Sequence, residues 1–236
     1  VGIAVRDGGT FIFNPDNLST NLLQLQVYGG NIELYGGKIS RDGLHLYKGN
    51  TLSKLLPSGK GLAYRRADAD YWISLAYTQN KDYQPSFDLV VMKCEHTDID
   101  ADNNCLYCGQ SLAAKSGSKY YMTLEAAVNA ANKNDTVTLL KSVDESLYIE
   151  KDITVNMGDN NYTIMGNITV RNGNTLTLAG SGIVNVVQSG TMYDGVVGGA
   201  LNILSDNVTV SYLSVQQIPN PPMQLNKGTF YKIELT

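Results

Sequence analysis

Apolar residues along this chain come in short bursts that alternate with polar ones. In the first ninety or so residues the bursts include Ile3-Ala-Val5, Phe11-Ile-Phe13, Ile32-Glu-Leu34 and Leu44-His-Leu46, with a longer run from Leu22 to Val27. Gly, Asn and Asp clusters such as Asp7-Gly8-Gly9, Gly29-Gly30-Asn31 and Arg41-Asp42-Gly43 separate them. Strands of a few residues with a turn at each end predict a β-solenoid or a sandwich. The lack of Asn-Gly hairpins with matched arms favours the solenoid. Thr51-Leu52-Ser-Lys-Leu55 predicts one short helical turn capped by Thr51. Leu62-Ala-Tyr64, Tyr71 to Tyr77 and Leu89 to Met92 read as longer strands that close the first unit like a lid. His45 alternates with apolar neighbours and reads as a surface histidine.

Farther on the period-two signal is stronger. Thr136 to Leu140, Ile153-Thr-Val155, Ile168-Thr-Val170, Leu176-Thr-Leu178 and Val208-Thr-Val210 place Ile, Val and Leu on one face and Thr on the other. Stacked coils bury such an aliphatic column and pair nearly every backbone group. One stretch breaks the pattern: in Thr123 to Lys133, Leu124, Ala127, Val128 and Ala131 form a helical stripe, with Thr123 as cap and Glu125 at the positive end of the dipole. A helix of small residues suits the plugging of a β-helix end. Ala113 to Lys119, rich in Ser, Gly and Lys, reads as a connector.

Composition narrows the class. The 236 residues carry a net charge of −4 and only 17% charged residues. No basic stripe is present to neutralise phosphates, which argues against a nucleic-acid partner. No run approaches a membrane span and no signal peptide opens the chain. The first residues already read as strand, so the chain reads as a piece of a longer protein.

The sharpest chemistry lies in Cys94-Glu-His96-Thr-Asp98-Ile-Asp100-Ala-Asp102-Asn-Asn104-Cys105-Leu-Tyr-Cys108-Gly109, which holds all three cysteines and one of the two histidines. The spacing C-x-H…C-x-x-C supplies Cys94, His96, Cys105 and Cys108 as a tetrahedral set suited to structural zinc. The alternative is a Cys–Cys bridge with one spare thiol. Asp98, Asp100 and Asp102 alternate like the opening of a calcium loop, but Asn103 and Gly109 stand where its glycine and bidentate acid belong. Calcium therefore fits less well than a solvated acidic turn.

These residues carry a resemblance. Thr123-Leu-Glu-Ala-Ala-Val-Asn-Ala-Ala-Asn, followed by Asp135-Thr-Val-Thr-Leu-Leu-Lys, resembles the capping helix and first strand of the pectate-lyase-like right-handed parallel β-helix superfamily. Together with the cysteine segment it is similar to repetitive surface proteins of Gram-positive gut bacteria, in which β-helical modules alternate with such segments. Cell-surface or cell-wall location is what the resemblance implies. The chain also matches itself: Asp16-Asn17…Leu23-x-Leu25-Gln26 parallels Asp206-Asn207…Leu213-x-Val215-Gln216, and Ile32-x-Leu34-x-x-Gly37-x-Ile39 parallels Met223-x-Leu225-x-x-Gly228-x-Phe230.

The expected architecture is all-β: right-handed parallel β-helix modules with one capping helix and a zinc-knot insertion. Residues 1–92 are the end of a first module, 93–118 the knot and connector, and 119–236 a second module. No nucleophile–base arrangement or lyase-type cluster of carboxylates with a basic residue is evident. Arg171 stands in a turn, and Lys141 with Asp144 and Glu145 lies in a loop. The functional expectation is a non-catalytic extracellular stalk or adhesin-type segment, monomeric within a larger multi-module protein. An extracellular glycan or host surface is its candidate partner, and outward tyrosines Tyr35, Tyr47, Tyr64 and Tyr77 its candidate contacts. A polysaccharide-acting enzyme and a purely structural spacer are the alternatives.

Overall fold

The computed structural model describes residues 3–6, 8–15, 21–22, 25–40, 44–47, 52–57, 59–65, 70–74, 88–171, 173–189, 199–215 and 224–235. The chain forms two compact units, Val1–Gln110 and Ser111–Thr236. The cysteine segment thus belongs to the first unit, and the stretch read as a connector opens the second. Each unit is built of short strands that pair with a strand one coil farther along.

In the first unit the strands are β1 (Ile3–Val5), β2 (Thr10–Phe13), β3 (Asn21–Leu22), β4 (Leu25–Val27), β5 (Asn31–Leu34), β6 (Lys38–Ile39) and β7 (Leu44–Leu46). A 3-10 turn at Leu52–Leu55 follows, where a helical turn is expected; its proposed cap, Thr51, lies outside the described residues. The unit ends with β8 (Lys60–Arg65), β9 (Asp70–Trp72) and β10 (Leu89–Lys93). Ile3, Leu25 and Leu44 lie in one parallel row, and β2 pairs with β5 and β3 with β6 in the same sense. Alternation explains the stacking: Leu25, Val27, Ile32 and Leu34 are buried, while the residues between them face outward.

The lid is antiparallel. β10 lies between β6 and β8, and β9 adds outside β8, in the order β3-β6-β10-β8-β9. An antiparallel strand laid on a parallel edge occupies the backbone groups that would otherwise recruit another chain. The predicted strand portion at 75–77, with Tyr77, lies outside the described residues. His45 is exposed, as its alternation predicts, and lies beside Gln26 of the neighbouring coil.

The second unit opens with a hairpin, β11 (Ala114–Ser116) and β12 (Lys119–Tyr121), where a connector is expected. Gly117 turns it with a positive φ of 58°, and Ala113 and Ala114 are buried. Helix α1 (Leu124–Ala130) follows, with the Thr123 hydroxyl accepting from the Ala126 N–H at 3.1 Å. It ends before the predicted Lys133, because Ala131 is already extended and Asn132 N–H donates to the Asp135 carboxylate. Leu124, Ala127 and Val128 close the near end of the core.

The coils beyond use β13 (Thr136–Leu139), β14 (Leu147–Ile149), β15 (Ile153–Asn156), β16 (Tyr162–Val170), β17 (Thr175–Ala179) and β18 (Gly182–Ser189). They continue through β19 (Ala200–Ile203), β20 (Val208–Val210), β21 (Leu213–Val215), β22 (Thr229–Phe230) and β23 (Ile233–Leu235). One sheet runs β12-β11-β13-β15-β17-β19, parallel from β13 onward. The other runs β14-β16-β18-β20-β22, with β21 and β23 continuing from β18. Ile153, Leu176 and Leu201 form one inward row, and Val155, Leu178 and Ile203 the next. Thr154, Thr177 and Asn202 form the outward row between them.

This is a β-solenoid with one short α-helix among the described residues. A register shift interrupts the β16–β18 pairing between Ile164 and Asn167. There the Cα of Gly166 lies so close to Glu145 that a Cβ would come within 2.1 Å of the Glu145 carbonyl oxygen. Only glycine admits that approach. Among the described residues no helix is long and apolar enough to cross a membrane.

Candidate metal centre

The centre is assembled by strand β10 and a folded-back loop. At the end of β10 Lys93 pairs with Lys60, and Cys94 N–H donates to Gly59 O at 2.9 Å. Cys94 is therefore held at the edge of the lid sheet, 3% exposed. Two residues later His96 has φ = 50°, a left-handed conformation rare for a residue with a Cβ.

The acidic turn brings the chain back. Asp100 Oδ1 accepts from the Asp102 and Asn104 N–H groups at 2.9 and 2.8 Å, and Asn103 takes φ = 61°. Aspartate at the head of a turn mimics a backbone carbonyl in this way. The Asn104 amide holds the Asp100 carboxyl below its ordinary range, because hydrogen bonds favour its charged form. An isolated antiparallel bridge between Ile99 and Cys105 then sets Cys105 against Cys94.

Cys105 opens a second tight turn. Its sulfur accepts from the Tyr107 N–H at 3.4 Å, and its carbonyl accepts from Gly109 N–H at 2.9 Å. Gly109, at φ = 70°, carries the chain away and leaves Cys108 beside the imidazole.

The ligand atoms of Cys94, His96, Cys105 and Cys108 all lie within 4.8 Å of one another. Cys94 Sγ is 3.5 Å from Cys105 Sγ, and Cys108 Sγ is 3.4 Å from His96 Nδ1. Tetrahedral zinc with ordinary bond lengths separates two sulfurs by about 3.8 Å, and sulfur from nitrogen by about 3.6 Å. The spacing fits an ion at the middle. All three cysteines are free thiols, so the Cys–Cys bridge with a spare thiol is not the arrangement found.

The electrostatics show what a cation would do here. Hydrogen bonds from the Cys108 and Cys94 thiols hold Cys105 far below the ordinary thiol range. The thiolate of Cys105, joined by Cys108 and by burial, pushes Cys94 far up. Cys108 is pushed up to about 11, again chiefly by its hydrogen bond to Cys105. A bound cation stabilises all three cysteines as thiolates, so metal binding is expected to release cysteine protons below the ordinary thiol range. Calorimetric titrations in buffers of different ionisation enthalpy would detect them. Metal binding at pH 7 with no proton release would contradict ligation by the cysteines.

The sequence pattern brings together all four expected ligands. The calcium alternative finds no support: Asp100 is engaged within its own turn, and Asp98 Oδ2 accepts from the Tyr107 hydroxyl at 2.7 Å and from Thr97 at 2.9 Å. That bond to Asp98 pushes the Tyr107 phenol up to about 12.

Sequence reasoning missed the supports. The Tyr107 ring packs on Trp72 of β9, with centroids 5.9 Å apart, and Trp72 in turn covers Gly61 of β8. Tyr107 sits between two ligands and could be suspected from spacing; nothing in the sequence ties it to Trp72. Of the tyrosines expected to face outward, Tyr47 is exposed, and several stack on or hydrogen-bond to neighbours. Tyr28 stacks on Tyr47 at 4.6 Å, Tyr64 on Tyr71 at 5.1 Å, and Tyr35 donates to Glu33. Arg171 pairs with Glu150 at 2.7 Å and lies over Tyr148, and Lys141 donates to Ser111 at 2.9 Å.

Comparison with known protein families, curated proteins and solved structures finds no match to this chain.

Proposed function

We propose that this chain is a non-catalytic structural segment of an extracellular surface protein, a stalk or adhesin-type module, and that its Cys3His centre holds structural zinc. The closed donor set carries the reading. Four protein ligands complete a tetrahedron and leave no position for a reacting water, which is the pattern of structural rather than catalytic zinc. Three thiolates favour zinc over the hard cations magnesium and calcium.

The placement of the centre supports a mechanical role. Cys94 and His96 directly follow β10, the middle strand of the lid, and Tyr107 reaches β9 through Trp72. Metal binding ties the lid to the loop beyond it, and the lid shields a parallel edge. Stacked coils resist end-fraying only when their ends are closed. Glycan is the partner class proposed; the stack of exposed Tyr47 on half-buried Tyr28, with the Arg6 guanidinium over Tyr28, is the surface that supports it.

Incubation of the purified chain with a panel of neutral and acidic polysaccharides tests the non-catalytic part. The expected result is no release of reducing or unsaturated ends. Turnover of any member that survives purification to constant specific activity would replace this reading with a carbohydrate-active enzyme.

A further inference from the structure

On the outside of the first unit, three successive coils line up a cation and two aromatic rings. Val5, Val27 and Leu46 form one inward row across β1, β4 and β7, and the residue after each turns outward. The Tyr28 N–H donates to Val5 O at 2.9 Å and the Tyr47 N–H to Val27 O at 2.8 Å, which sets Arg6, Tyr28 and Tyr47 in a column one coil apart. The Arg6 guanidinium lies over the Tyr28 ring, 5.4 Å from its centroid. The rings of Tyr28 and Tyr47 are 4.6 Å apart and within 1° of parallel. Because β4 lies between β1 and β7, Arg6 and Tyr47 take the two faces of Tyr28. The Tyr28 hydroxyl donates to Gln26 Oε1 at 3.1 Å. Tyr28 therefore holds the column together rather than offering a face to a sugar ring, and the charged group left at its end is the guanidinium.

That cation differs from others seated on tyrosines in this chain. Arg171, over Tyr148, is neutralised by Glu150 at 2.7 Å, and Lys232, over Tyr212, by Glu234 at 2.6 Å. Among the described residues Arg6 has no carboxylate partner: Glu33 accepts from the Tyr35 hydroxyl, and Asp88 pairs with Lys38. A guanidinium stacked on a ring uses its face, while its N–H donors lie in its plane and stay available to an anion. Arg6 is exposed, and so is Ala4, two residues earlier on the same side of β1, whose small side chain leaves the approach open. Gln26 and His45 continue the row of Ala4 on the next two coils and set an amide and an imidazole beside the column.

We propose that the Arg6–Tyr28–Tyr47 column binds an acidic glycan, with Arg6 taking the carboxylate or sulfate group of one sugar through its in-plane N–H fork. Both anions present paired oxygens that match this fork. The Gln26 amide and the His45 imidazole supply hydrogen bonds to hydroxyls of the same sugar, and exposed Tyr47 borders it. The inference rests on the glycan reading above and narrows it: charge complementarity at an exposed, unneutralised arginine selects acidic over neutral polymers.

The test measures binding of the full chain to three polymers: hyaluronan, whose only anions are carboxylates, dextran sulfate, whose only anions are sulfates, and neutral dextran. One or both of the acidic polymers is expected to bind and dextran is not; which of them binds tells carboxylate from sulfate. Arg6→Gln, a surface change that leaves Trp72 fluorescence unaltered, should weaken that binding roughly tenfold or more, the loss of one charge-assisted pair. Arg171→Gln, which removes a cation already neutralised by Glu150, should leave it unchanged. Failure of both acidic polymers to bind overturns the inference, as does undiminished binding by Arg6→Gln. Binding of dextran as tight as that of dextran sulfate, weakened by Tyr47→Ala and not by Arg6→Gln, would overturn the inference while leaving the glycan reading in place.

Discussion

Cys105→Ser is expected to abolish metal binding and to unfold the first unit's lid well before the second unit responds. Cys105 is 2% exposed, and its sulfur lies 3.5 Å from that of Cys94. Serine keeps the shape but supplies a hard oxygen in place of a soft sulfur. A ligand that binds only the folded state stabilises it by about 4 kcal/mol when its free concentration is a thousand times its dissociation constant. Loss of the site forfeits that amount, plus the cost of a buried hydroxyl lacking its partner. The lid strands β8–β10 should feel it first, through Cys94 at the end of β10 and through Tyr107 against Trp72. Trp72 is the chain's one tryptophan, so its fluorescence reports the lid directly. Hydrogen exchange resolved by segment would show early exposure of 60–65 and 89–93, with residues 153–178 unchanged. Retained metal and an unshifted lid would mean that Cys105 is a bystander.

Leu176→Ala should cost the second unit about 3 kcal/mol. Leu176 is fully buried in the row between Ile153 and Leu201, one coil to either side. Both neighbours are fixed by their own ladders, so the space left behind cannot collapse easily, and the cavity adds to the lost transfer energy. The outward neighbour Thr177→Ala, on the same strand, should change stability by no more than about 0.5 kcal/mol. Urea unfolding of both variants, with unchanged denaturant slopes, separates the two expectations. Equal effects at the two positions would contradict the inside–outside assignment of β17.

That assignment was legible in the residues themselves. Leu176-Thr-Leu178 and Ile153-Thr-Val155 alternate cleanly, and alternation is what a half-buried strand requires. The residues of the candidate metal centre were legible for a different reason: cysteine and histidine carry chemistry few other residues share, so their spacing survives without structural context. What stayed hidden depends on partners distant in the chain. The pairing of Leu89 with both Ile39 and Tyr64 makes the lid antiparallel, and nothing local to residues 89–93 distinguishes that from another parallel coil. Ala114-Lys-Ser116 was masked by its composition. Ser and Gly usually mark linkers, yet Gly117 here turns a two-stranded hairpin whose Ala114 is buried beside Leu139. Gly166 lay in plain view, but its need for a missing Cβ comes from Glu145, which only the coil stacking brings near.

Zinc K-edge X-ray absorption on the purified chain, combined with its metal content, tests the central claim most directly. One ion per chain is predicted, with three sulfur neighbours at about 2.3 Å and one nitrogen at about 2.0 Å. A first shell of oxygen and nitrogen alone would contradict it, as would a metal-free chain whose Cys94 and Cys105 are joined to each other.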